Sequence, residues 1–181
     1  MMPHSTPGTF RSWSLTRYGF ALAHLVALLV GFLLLRIVLL VAFKPAGPVA
    51  AGEWLRLFAV GLHLDLVVAL ALTCPLVAWF TLAPNRWFGR RWHRWLLLGG
   101  MFFFWVVQLY LLAAEYFFFE EFKSRYNTVA IDYLFYPKEV FVNIRDTYPV
   151  GTILCLCLAG AAVIVGGARC FAGRMTVANT W

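Results

Sequence analysis

Apolar residues along this chain gather into four long blocks, separated by short stretches rich in arginine, proline and aromatic side chains. The blocks cover residues 20–43, 54–82, 95–119 and 150–168. Each is close to or above the ~20 residues needed to cross about 30 Å of hydrocarbon. Breakers punctuate them. Lys44-Pro45 and a Gly/Pro-containing turn stop the first, Pro84-Asn85 follows the second, and Pro149 stands where a helix opens the fourth. The pattern predicts an all-α integral membrane protein, a bundle of four transmembrane helices. The first block is read as a retained span. Small residues at Val49-Ala50-Ala51 offer a cleavage site, but the block is longer than the ~7–15 apolar residues of a signal-peptide core.

Composition agrees. The 181 residues are 62% hydrophobic and 13% charged, against about 25% charged in soluble domains. The net charge of +7 is broken up by the spans, so it points to topology and lipid headgroups rather than to nucleic acid. Cys74, Cys155, Cys157 and Cys170 lie in or beside apolar stretches without CxxC spacing. They read as small hydrophobes, neither a metal set nor a disulfide framework.

Basic residues set the orientation. Arg11, Arg17, Arg86, Arg90, Arg91, Arg94, Arg169 and Arg174 all fall on one side if the N-terminus is inside. None of the eight acidic residues falls in those parts. The expected organisation is a cytoplasmic tail at 1–19, a membrane domain at 20–168 with an outer segment at 120–149, and a cytoplasmic tail at 169–181. The inner turn NRWFGRRWHRW reads as an interfacial anchor, with tryptophan at the headgroups and arginine on anionic lipid.

Charges inside a span are costly and demand a reason. Arg36 lies toward the outer end of the first span, Asp65 near the middle of the second beside His63, and Arg56 close enough to the surface to snorkel. If the first two helices pack together, Arg36 can reach Asp65 and each neutralises the other. Such a pair serves as a packing clamp, as part of an anionic-lipid site, or as part of a proton path. The near absence of ionisable groups in the inner halves of the spans argues against transport.

The outer segment is the most polar. In PKEVFVNIRDTYP, Val140, Phe141, Ile144 and Tyr148 share one helical face. This predicts a short amphipathic helix, opened by Pro137 and lying at the outer interface. The run EYFFFEEFKSRYNTVAIDYL followed by PKEVFVNIRDTYPV resembles the membrane region of lipoteichoic-acid-synthase-like sulfatases. These belong to the alkaline phosphatase superfamily and include phosphoglycerol and phosphoethanolamine transferases. The likeness rests on an FF-x-E-F-x-x-R-F-N core, a V-D-Y-L element and an E-V-x-x-N-I-x-x-S-Y-P element. Matching positions are Glu121, Phe122, Arg125, Asn127, Asp132, Tyr133, Leu134, Glu139, Val140, Asn143, Ile144, Tyr148 and Pro149. Gly61, Leu62, Asp65 and Leu66 are similar to the family's second span. Tyr126, Ile131 and Thr147 depart from the pattern. The likeness covers most of residues 55–150.

That resemblance implies a membrane module of the bacterial cytoplasmic (inner) membrane, serving an enzyme of cell-envelope glycan or lipid modification. Its family carries, after a fifth span, an extracytoplasmic catalytic domain with a threonine nucleophile and a manganese-type metal. The expectation here is a chain truncated before that domain, inactive alone, with no cofactor of its own. Its expected partners are anionic phospholipid and the missing catalytic domain, not nucleic acid. Arg36, Arg56, Asp65, Glu121, Arg125, Asn127, Asp132, Tyr133, Glu139, Asn143 and Arg145 are the candidates for headgroup binding or domain docking. The alternative is a standalone multi-pass protein acting as a partner-binding subunit.

Overall fold

A computed structural model describes residues 17–43, 47, 50–88, 90–125, 142 and 144–175. Among them there is no strand. Helix α1 spans Arg17–Ala42, α2 Ala51–Leu82, α3 Asn85–Phe88, α4 Arg91–Phe122 and α5 Val150–Met175. Four of these are long and apolar enough to cross a membrane, over Tyr18–Ala42, Ala51–Leu82, Arg91–Phe122 and Val150–Arg169. The protein is an all-α, multi-pass membrane protein. The second and third spans begin three or four residues before their apolar blocks, because glutamate or arginine in a first turn does not stop a helix. At 32 residues each, α2 and α4 extend about 48 Å, so both exceed the hydrocarbon thickness.

The chain divides into two compact units, one of Met1–Leu96 with Gly167–Trp181 and the other of Leu97–Gly166. In the first, α1 and α2 form an antiparallel hairpin. Its inner face on α1 is a row of Phe20, His24, Leu28, Phe32, Leu35 and Leu39, with Gly61, Asp65, Ala69, Thr73 and Phe80 on α2. The α1 row advances three or four residues at a time and the α2 row four or seven, the ridge spacing by which helices interlock. Phe20 meets the Phe80 ring edge-on at 6.0 Å, while Arg36 meets Asp65 nearer the other end. Nearly the same number of residues separates the two partners on each helix, which fixes the antiparallel register.

The ends follow from local chemistry. Glu53 stands in the first turn of α2, where a carboxylate offsets the helix dipole. Ala83 closes α2 through its N–H to the Trp79 carbonyl at 2.9 Å, and adopts an extended conformation because Pro84 follows. Pro75 lies inside α2 and removes one ladder donor. Two hydroxyls nearby are satisfied by bonding back one turn, Thr73 to the Ala69 carbonyl at 2.7 Å and Thr81 to that of Val77 at 2.9 Å.

In the second unit, Met101, Trp105, Gln108, Glu115 and Phe118 form the buried stripe of α4. A Cβ added to Gly160 of α5 would come within 3.0 Å of Leu109 Cδ1, so the two helices approach closely at a small residue. Cys157 and Ala161 are buried beside it, while Cys155 is exposed. Pro149 immediately precedes α5 and accepts from the Ile153 N–H at 3.1 Å.

Most of each span remains open. Between 11 and 22% of each span's most apolar window is buried by the protein, so the rest is left for lipid. Phe80→Ala, at a side chain 2% exposed, is expected to cost about 3 kcal/mol. Leu82→Ala, at an 81% exposed residue, should stay within about 0.5 kcal/mol. Denaturant titration in micelles, followed by circular dichroism, measures both.

Candidate functional site

Among the described residues, two carboxylate–guanidinium pairs organise the polar chemistry. The first joins α1 to α2. Arg36 donates from Nη2 to Asp65 Oδ2 at 2.6 Å and from Nη1 to the Leu57 carbonyl at 3.0 Å. Both side chains are nearly enclosed, 10 and 8% exposed. At so low a local dielectric, neither charge is tolerable without the other. Gly61 makes the geometry possible. A Cβ at that position would land inside the Arg36 guanidinium, so a side chain there and the ion pair are mutually exclusive. The pairing expected of Arg36 and Asp65 is therefore present, and it carries a glycine requirement as well.

The second pair lies within the Leu97–Gly166 unit. Arg125 Nε donates to Glu115 Oε1. Ten residues separate them, and a chain reversal closes the gap. Lys123 takes φ 51°, in the left-handed region, which ends α4 as glycine or asparagine usually does. Its N–H bonds the Phe119 carbonyl at 2.8 Å and its Nζ the Glu120 carbonyl at 2.7 Å, capping the last turn. Glu115 is almost buried, while Arg125 is 42% exposed. The guanidinium thus neutralises the buried carboxylate and still presents part of itself outward.

An aromatic edge adjoins this pair. Phe118 packs on Phe122 at 4.6 Å, and Phe117 on Tyr148 at 4.5 Å. Residues 144–147 form a helical turn, with the Tyr148 N–H on the Ile144 carbonyl at 2.9 Å. Partial burial, with the Glu120 and Glu121 carboxylates nearby, pushes the Tyr148 phenol above its ordinary pKa. It stays protonated as a neutral edge to the cluster.

The remaining candidates divide. Arg56, Glu121 and Arg145 are exposed, and among the described residues none of them joins an ion pair. Asn127, Asp132, Tyr133, Glu139 and Asn143 lie outside the described residues, as does the start of the amphipathic helix expected from Pro137. Sequence reasoning missed Glu115 as a site residue. The signal was available, because Gln108 and Glu115 share the seven-residue stripe of Trp105 and Phe118. Among the described residues, no three His, Cys, Asp or Glu side chains gather as a metal would require.

No protein-family model, curated protein or solved structure matches the chain.

Asp65→Asn leaves Arg36 buried without its counter-charge and should destabilise the α1–α2 hairpin by about 3 kcal/mol. The paired replacement Arg36→Met with Asp65→Leu should restore most of that loss. Gly61→Ala should be severe in the native background and nearly silent beside Arg36→Met, a double-mutant cycle read by unfolding in micelles. At the second pair, Lys123→Gly relieves the left-handed strain and should stabilise by up to about 1 kcal/mol. Arg125→Ala should cost about the same, since that partner is half open to solvent.

Proposed function

We propose that the chain is the membrane-anchoring module of a lipoteichoic-acid-synthase-like phosphoglycerol or phosphoethanolamine transferase, set in the bacterial inner membrane with both termini cytoplasmic. The chemistry of transfer belongs to an extracytoplasmic catalytic domain. This module holds that domain at the outer surface, and its outward arginines approach the phosphate of the lipid donor. The observation that carries the reading is the Glu115–Arg125 pair. It falls inside EYFFFEEFKSRYN, the run on which the family resemblance rests, and it braces residues 115–125 as a shoulder at the end of α4. A solvated linker has no use for a nearly buried glutamate; a docking surface does, because bracing lowers the ordering cost of binding.

A fusion tests this directly. The chain placed ahead of the fifth span and catalytic domain of a member of this family, in cells lacking their own transferase, should restore phosphoglycerol or phosphoethanolamine transfer. An unrelated four-span anchor should not. Arg125→Ala should lower transfer roughly tenfold while leaving membrane insertion intact, as expected for loss of a charge-assisted contact to phosphate or to the docked domain. Equal activity on both anchors would falsify a specific role and leave anchoring alone.

A further inference from the structure

A third polar construction lies at the opposite end of the α1–α2 hairpin, in the turn from α2 to α4. Its centre is His93, 2% exposed. Trp79 donates its indole N–H to His93 Nε2 at 3.1 Å, with the two ring planes only 9° apart. To accept that bond Nε2 carries no proton, so the neutral ring bears its hydrogen on Nδ1. Phe88 packs on the imidazole at 4.5 Å, and Trp87 meets both Trp79 at 6.2 Å and Trp92 at 5.5 Å. The backbone is tied as well, through Trp87 N–H to the Pro84 carbonyl and Arg90 N–H to the Trp87 carbonyl. An ordinary inter-span turn needs none of this.

What the knot holds is positive charge. Arg86, Arg90 and Arg91 stand within six consecutive positions and are exposed. Among the described residues they enter no ion pair. From Asp65 to Glu115 the sequence holds no other acidic residue, so no carboxylate on α2's inner half, the turn or most of α4 can answer them. The turn joins two membrane spans, which places it at the headgroup layer. Guanidinium forks match phosphate oxygens two at a time. The exposed rims of Trp92 and Trp95 suit the same layer. Single-stranded nucleic acid also binds arginine with aromatics, but there the rings must be free to stack on bases. Here Trp79, Trp87 and Trp92 are engaged with one another and with His93, so of the turn's tryptophans Trp95 presents the most open ring, too little for a stacking platform.

We propose that this turn is a built binding site for the phosphate of an anionic phospholipid headgroup, gripped by Arg86, Arg90 and Arg91 on a scaffold locked by Trp79 and His93. It is independent of the transferase reading. A diffuse basic surface attracts anionic lipid with a free energy proportional to its charge, roughly fivefold in affinity for each arginine. A built site depends in addition on the fork geometry and on the scaffold, and that difference can be measured.

The test uses the full chain in non-ionic detergent, with lipid retention read by native mass spectrometry. Phosphatidylglycerol should be retained at least tenfold over phosphatidylcholine. The triple variant Arg86→Lys, Arg90→Lys, Arg91→Lys keeps every charge, and with it the orientation of the chain. It should bind phosphatidylglycerol roughly fivefold more weakly. Trp79→Phe keeps all the arginines and should also weaken retention several-fold, with the circular dichroism spectrum unchanged. Equal retention of the two lipids by the native chain overturns the proposal. So does a triple lysine variant indistinguishable from the native chain, since diffuse charge then suffices. Displacement of lipid by equimolar inorganic phosphate, or by an oligothymidylate, would assign the site to free phosphate or to nucleic acid instead.

Discussion

An arginine and an aspartate cannot be enclosed separately in a protein whose surroundings are hydrocarbon, and much of the α1–α2 hairpin answers to that constraint. Arg36 and Asp65 sit on different helices, so neutralising them requires the helices to pack. Packing them requires a gap at Gly61 through which the guanidinium also reaches the Leu57 carbonyl. The same approach sets the register that brings Phe20 to Phe80. Hydrophobic attraction between helices is weak in lipid, because the lipid tails are as apolar as leucine. A single charge pair can therefore decide an alignment that an apolar seam alone leaves degenerate.

The same economy governs several other polar groups, by different devices. Glu115 is answered from beyond the end of its own helix, through a left-handed residue that folds Arg125 back. His93 is answered by an indole. Thr73 and Thr81 answer themselves, on carbonyls one turn behind. In water these groups would be indifferent to their neighbours. Where unsatisfied polar groups cost several kcal/mol, each becomes a point at which the fold is specified.

These devices also sort what is structural from what is available. Arg36 is consumed by its pair. Arg125 is only half consumed, and Arg86, Arg90 and Arg91 are exposed. The functional readings accordingly rest on the last two sets: one arginine braced at the end of α4, and three held on an aromatic knot at the start of it. Both have an exposed cation on a scaffold that spends buried polar bonds to stay in place.

Much of this was legible in the residue order. Four apolar blocks, each long enough for hydrocarbon and closed by Pro, Gly or Arg, determined an all-α membrane protein and the approximate span ends, because backbone polar groups in lipid leave few alternatives. The sequence also singled out Arg36 and Asp65, since a charge in an apolar run is conspicuous. It did not give Gly61 a reason, because a glycine's importance lies in what passes over it. It offered Arg125 as a contact for a lipid headgroup or a docked domain, and the fold adds a partner the residue order did not name, Glu115. That pairing depends on the Lys123 turn, and nothing in a lysine announces a left-handed backbone. It read NRWFGRRWHRW as an interfacial anchor, and the fold adds that His93 is buried against Trp79 with the rings drawn together. The apolar pattern is one-dimensional and could be read directly. Partnership between polar groups is a matter of distance across helices, and only tertiary structure could assign it.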